Sequence, residues 1–551
     1  MNRVLRVSGL IWLMLLAMAC NPPARAQIGT VSPEASSAPH TVRGTVVNSV
    51  TGEPIYRALV QIGGHYAALT DHEGHFEFEG VTLSGLPPWA MKPGYFFPDR
   101  LNRFAVAATD NANASSETEL VVKLVPEAVI SGTVTGQDGS PLENIAVQLK
   151  MLSTQDGFSR WRPRMQTRTN AEGQYRFADL EAGKYSVSTG FHTEGLADSR
   201  DAAGYVPARY PPAGGDSSSA AAIVLKPGDH AVADLNPEME RLFPVTGTVS
   251  GYGQSRGITF RVEAANGEEF SPGARFRPQT GEFRMMLPVG SYRVVAAAYT
   301  RPAPMQAWRD VTVQQAAVGG LSFALEPFAS IPVDVEVNAV NPPSDGSASV
   351  GASSPVENFA GNIGLTNVSN EALAGQMTAG MRRRGSGDPS GPLEIGDISP
   401  GRYILRAEPP SPWYIASASC GAVDLTHEEL TVSGGSTGCS IHVVLRNDSG
   451  SAHVTIRDAQ GSLTTGQRGL YVYAVPLSSL VQPVVTLNQQ NADFSADGLA
   501  PGRYLVLALD RRVDLPYRDP EAMRAYSQLG QEISVTANGK ADAEISVAAT
   551  P

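Results

Sequence analysis

The 551-residue chain is short of cysteine, with three, and short of charge, with 17% Asp, Glu, Lys and Arg against roughly 25% in an average soluble protein. So few cysteines exclude a disulfide-dense framework for the whole length. Lys and Arg are outnumbered by Asp and Glu, giving a net charge of -12. That balance offers no broad attraction to phosphate backbones, so nucleic acid is not an expected partner. The nine histidines, including His427, His442 and His453, form no ligand-spaced cluster, and no metal or other cofactor is expected. Beyond the N-terminal segment no run is apolar enough to span a bilayer, so no transmembrane span is expected in the mature chain.

What is plentiful is glycine (55) and proline (40), which suits a chain of many turns and few long helices. The N-terminus reads as an export signal: Arg3 and Arg6 precede the apolar run "VSGLIWLMLLAMA", followed by "CNPPARAQ". Ala24-Arg25-Ala26 before Gln27 gives an A-x-A cleavage site. The alternative is that Cys20 in "LAMAC" is a lipidated cysteine serving as an N-terminal anchor, although Ala17 stands where such signals carry Leu. Either way the mature chain is expected to be exported, to periplasm, cell surface or medium. Removing the signal leaves Cys420 and Cys439, for which an oxidising compartment predicts a disulfide, with two free thiols as the alternative.

A phrase repeats. "FADLEAGKYSVS", "FRMMLPVGSYRVVA", "LEIGDISPGRYILRA" and "FSADGLAPGRYLVLA" each place a glycine (Gly183, Gly290, Gly401, Gly502) two residues before a tyrosine (Tyr185, Tyr292, Tyr403, Tyr504) that opens an alternating strand. The spacing predicts buried rings whose hydroxyls reach backbone at a sandwich edge. "VRGTV", "ISGTV" and "VTGTV" open three units, and "TDHEGHFEF", "TNAEGQYRF" and "PQTGEFRM" place turn glycines (Gly74, Gly173, Gly281) before aromatic strands. The chain is therefore expected to be all-β: after a signal peptide (1–26) and a linker (27–40), about five tandem β-sandwiches at 41–126, 127–240, 241–327, 328–446 and 447–551. The fourth carries a Gly/Ser-rich insert from about Thr366 to Pro392. "ELVVKLVP", "AAIVLKPG", "GLSFALEP", "SIHVVLR" and "ADAEISVAA" are the expected closing strands.

The segments "GTVVNSVTGEPIYRALVQI…TDHEGHFEF" and "GTVTGQDGSPLENIAVQL…TNAEGQYRFADLEAGKYSVS" resemble carboxypeptidase regulatory-like domains, most fully in the second unit. The resemblance implies a transthyretin-like (prealbumin-like) sandwich of about seven strands with no activity of its own, so the tandem array is expected to be of transthyretin-like or immunoglobulin-like β-sandwiches. In metallocarboxypeptidases that carry it, this domain is an appendage to a separate zinc-binding catalytic domain. Domains of the collagen-adhesin B type, a related sandwich, can form internal Lys-Asn isopeptide bonds using a first-strand lysine and a buried acid. The first strands here offer Arg43, Ser131, Thr246 and Thr455 instead, so none is expected.

Three motifs invite chemistry and read better as surface. "HEGH" (His72 to His75) crosses a tight turn rather than a helix, so its histidines are not expected to converge on zinc. "GGSTG" places Ser436 in a G-x-S-x-G pattern, but an alternating strand follows where that motif needs a helix. Arg382 to Arg384 sit in a Gly/Ser-rich stretch and are expected in a solvated loop. What remains are aromatics outside the repeated pattern: Trp161, Tyr205, Tyr210, Trp413 and Tyr414, with Trp89 and Trp308. Exposed rings of this kind stack on sugars or peptide side chains. The expected function is a non-catalytic, rod-like scaffold or binding module of the bacterial envelope, for polysaccharide or an envelope protein. The alternative is an accessory or cryptic hydrolase or peptidase component.

Overall fold

A computed structural model describes residues 40–82, 88–97, 119–194, 202–212, 222–253, 255, 257–265, 269–299, 304–340, 363–368, 378–383, 392–433, 438–457, 470–490 and 493–550. Cys20, Ala26, Gln27, Arg384 and Ser436 lie outside them. Residues 1–126 and 127–551 are separate compact units. Strand dominates both, and Pro520–Ser527 is the α-helix among the described residues.

One plan recurs. The first strand of each sandwich pairs antiparallel with a later strand and parallel with the closing one. In residues 40–126, His40–Asn48 pairs with His75–Val81 and with Glu119–Pro126. In the second sandwich Ala128–Thr133 pairs with Gln174–Leu180 and His230–Val232. Phe243–Ser250 lies between Glu282–Leu287 and Val318–Ala324. Ala329–Asn338 lies between Leu393–Ile398 and Ile441–Arg446, and Gly450–Arg457 between Asp493–Leu499 and Lys540–Ser546. A second sheet covers the core in each case, built on Leu59–Ile62, Ala146–Gln155, Thr259–Ala264, Ile363–Asn367 and Tyr471–Pro476. In the fourth sandwich the two layers are continuous through Thr378–Arg383.

The repeated sequence signs have packing causes. A Cβ on Gly132 would lie 2.2 Å from the Ala233 carbonyl oxygen and 2.9 Å from the Tyr175 hydroxyl. Gly44 and Gly247 face the same crowding from Leu120 and Phe76, and from Leu321 and Phe283. The Gly-Thr-Val glycine is thus the floor on which the ring of the aromatic strand lies, beside the parallel closing strand. Gly173 has φ 70° with the Val134 carbonyl 2.6 Å from a would-be Cβ, so both conformation and space require glycine in that turn.

The tyrosines of the repeated phrase are core residues with one shared bond. Tyr185 Oη donates to Glu181 O at 2.9 Å, Tyr292 to Pro288 O at 3.2 Å, Tyr403 to Ser399 O at 2.7 Å and Tyr504 to Ala500 O at 2.8 Å. Each acceptor is four residues back, which folds the ring over the glycine at i−2; at Gly290 a Cβ would come within 2.6 Å of the Tyr292 hydroxyl. Burial pushes the Tyr185 and Tyr292 hydroxyls up to about 12, and raises those of Tyr403 and Tyr504. They are held as neutral donors.

Three expectations need correction. The closing strand of the second sandwich is His230–Val232; the earlier Ile223–Leu225 pairs instead with Gly183–Tyr185 in the opposite sheet. Thr378–Arg383 is a strand inside the stretch read as a Gly/Ser-rich insert, and Arg382 registers opposite Glu394. Its small and charged residues carry little strand preference, so pairing between two neighbours decides it. Nor are residues 127–551 a rod of sandwiches in series: the hairpin Ala146–Gln155/Phe158–Arg168 of the second sandwich reaches the fourth and fifth.

Candidate functional site

The aromatics singled out by sequence divide sharply. Tyr205 is 7% exposed in the core of the second sandwich, on a strand that pairs with Met239–Arg241. Tyr414 is 6% exposed and its Oη donates to Asp448 Oδ1 at 2.8 Å. Arg446 also holds that carboxylate. These two are therefore not surface ligand contacts: both are buried on short strands whose loop-like sequence surroundings hide them. Tyr210 and Trp413 are half-buried against the second and fourth cores. Trp161 is half-buried with the Arg209 guanidinium 5.7 Å from its ring. Trp89 and Trp308 keep 36% and 43% of their surface in solvent.

Trp308 lies on Met305–Val313, an outer strand of the third sandwich. The alternation that buries Val311 and Val313 points Trp308 away from the core. Its ring is held by the Arg293 guanidinium at 4.7 Å, itself paired with Asp310 at 3.0 Å. Arg293 and Asp310 are direct cross-strand neighbours, as are Val295 and Trp308, so the register of the sheet builds this arrangement. Such a cation over an indole face fixes the ring's orientation.

Beside Trp308 a pocket of about 230 Å³ opens where the third sandwich runs into the fourth. Its lining combines Trp308, Phe328, Pro327 and Pro400 with the polar Gln306, Arg309 and Glu326. Donors and acceptors are both present, and the two formal charges cancel. The strand pairing Gln306↔Glu326 and the bond from Phe328 N to Pro304 O at 3.0 Å set its walls. Sequence reading noted Trp308 as an unassigned aromatic; it had no signal for the pocket, because Pro400 arrives from about ninety residues downstream.

The "HEGH" stretch forms a hairpin turn. Asp71 Oδ1 accepts from Glu73 N at 3.0 Å and His75 N at 2.7 Å, as Asn170 Oδ1 accepts from Gln174 N in the equivalent turn. The His75 backbone bond holds the Asp71 carboxyl below its ordinary range. Asp71, Glu73 and His75 are close enough together to hold an ion and are all exposed; His72 instead stacks on Tyr56 at 3.9 Å. Cys420 and Cys439 form a disulfide with Cα atoms 5.5 Å apart. No helix among the described residues is long and apolar enough to cross a membrane.

Residues 129–232 match the family model of the carboxypeptidase regulatory-like domain. No curated protein matches the chain in sequence. Similar solved structures include the Bacillus anthracis TIE protein, at 12% identity over 75% of this chain and 72% of that one, with a TM-score of 0.15. A streptococcal ancillary pilin aligns at 11% identity over 52% of this chain and 99% of its own, with a TM-score of 0.17. The RrgB pilus protein of Streptococcus pneumoniae aligns at 8% identity over 74% and 93%, with a TM-score of 0.15.

Proposed function

We propose that this chain is an exported, non-catalytic β-sandwich scaffold of the bacterial envelope that binds carbohydrate at the pocket beside Trp308. The observation that carries the reading is an exposed indole, fixed by Arg293, at the rim of a pocket with balanced donors and acceptors. A flat apolar face flanked by hydrogen-bond donors and acceptors of zero net charge suits the face of a sugar ring. The pocket is below the roughly 300–1,000 Å³ of sites for drug-sized ligands, which fits a single ring of a longer polymer. The non-catalytic part is supported by the use made of the repeated polar groups: the four tyrosine hydroxyls are bound to backbone carbonyls in the cores.

The test is affinity electrophoresis of the exported chain through gels containing a broad panel of neutral and acidic polysaccharides. Retardation by a neutral polymer, abolished in Trp308→Ala, is the expected result. Unchanged mobility across the panel would remove the carbohydrate reading and leave a protein partner, sought by co-purification in mild detergent. Cleavage of blocked or unblocked peptides, sensitive to chelator, would overturn the non-catalytic reading.

A further inference from the structure

The hairpin of the second sandwich is longer than its own core requires. Its strands run 10 and 11 residues, against a usual length of about 5–6. Val147 and Leu149 are buried in the second core and Met151 packs on its edge. The pairs from Leu152/Trp161 to Gln155/Phe158 lie beyond it, carrying the tip about 13 Å further at about 3.3 Å per residue.

The tip meets both later sandwiches. On the fourth, Asn367 O accepts from Arg160 Nη1 at 2.7 Å, and Arg406 Nε lies 3.6 Å from Asp156 Oδ1. From the fifth, Arg518 N donates to Gly157 O at 3.0 Å and its Nη1 donates to Asp156 O at 2.7 Å. Arg518 Nη2 donates to Leu480 O at 2.5 Å, and its guanidinium stacks on Tyr517 at 4.8 Å. Gly157 seats against the Tyr517 ring so closely that a Cβ would stand 2.7 Å from Cε1. Arg518 and Asp156 are 362 residues apart in sequence, so this contact closes a circuit from the first sandwich of the body 127–551 to its last.

We infer that this hairpin is an intramolecular strap: it ties the second sandwich to the fourth and fifth, so that residues 127–551 open and bear tension as one body. The physical reason is connectivity. Force applied between residues 127 and 551 enters at the second and fifth sandwiches, which the strap joins directly, and the chain through the third is loaded only after the tip lets go. Each tip bond is individually weak, but they act together because all are made by one short turn, residues 156–160, seated between two other sandwiches. This inference is independent of any ligand at the Trp308 pocket.

The experiment compares Gly157→Leu with Gly139→Leu in the full chain. Both glycines have positive φ, 79° and 78°, but Gly139 has nothing within 4 Å of a would-be Cβ, so the control carries the backbone strain without the clash. Small-angle scattering should show a larger radius of gyration for Gly157→Leu only, and hydrogen exchange at the Arg518 amide should quicken by about tenfold or more, the factor that corresponds to 1.4 kcal/mol. An unchanged radius in a folded Gly157→Leu protein overturns the strap. Should that variant fail to fold, the unmodified chain decides: an Arg518 amide as protected as those of residues 471–475 supports the strap, and one that exchanges freely refutes it.

Discussion

Two junctions between sandwiches of the 127–551 body differ in how they are filled. Where the second, fourth and fifth meet, the hairpin tip, Tyr517 and Arg518 occupy the space, and the fifth sandwich pushes Val481 into the fourth core while Leu480 N bonds to Thr426 O. Where the third runs into the fourth, a pocket stays open and an indole stands beside it. A filled junction converts its polar groups into structure: guanidinium donors go to backbone carbonyls. An open one keeps Gln306, Arg309 and Glu326 at its lining. Binding is therefore to be sought at the open junction and mechanical continuity at the filled one.

The comparison can be broken at several points. The largest effect is expected from the Cys420–Cys439 disulfide, which braces the segment that receives Leu480 and Val481. Its removal by Cys420→Ala/Cys439→Ala should cost about 3 kcal/mol for a loop of this size, read as a lower urea midpoint for the fourth and fifth sandwiches. Next, Tyr517→Ala should cost about 2–3 kcal/mol, measured by thermal unfolding, with carbohydrate retardation unchanged. A loss of retardation in that variant would mean that the junctions are not independent.

A pH effect comes third. Burial raises the Asp448 carboxyl, but bonds from Arg446 and Tyr414 outweigh it and leave it below its ordinary value. A depressed carboxylate contributes stability that is present above the unfolded value of about 3.9 and is lost as pH falls through the lower folded value. Asp448→Asn should flatten that acid limb and cost about 1–2 kcal/mol at neutral pH, seen in urea titrations from pH 7 to 3. Smallest is Trp308→Ala, expected within about 0.5 kcal/mol of the parent in stability while losing binding; a large drop in melting temperature would make Trp308 a structural residue like Tyr517.

Much of the fold was legible because its signs are local. A ring that must lie on a glycine needs Gly-Thr-Val opposite an x-aromatic strand, and the repeated glycine-x-tyrosine phrase marks a tyrosine that bonds four residues back, with the glycine sterically required at Gly290. The bulges before these tyrosines were missed, although Asp179 and Asp397 adopt φ 60° there, and an Asp just before the strand's last aliphatic residue was an available sign. The site was less legible. Tyr205 and Tyr414 look like loop aromatics and are core, because strands of three to seven residues show too little alternation to be read.

The sequence by itself determined the all-β sandwich class and the buried tyrosines of the repeated phrase, since each rests on contacts between residues close along the chain or on repeated spacing; it left Cys420 and Cys439 as a disulfide or two free thiols, and the structure pairs them. Only the tertiary structure decided which junction is filled. Gly157 and Tyr517, like Trp308 and Pro400, meet across separations where no periodicity carries information, and packing alone made one pair a strap and the other the rim of a pocket.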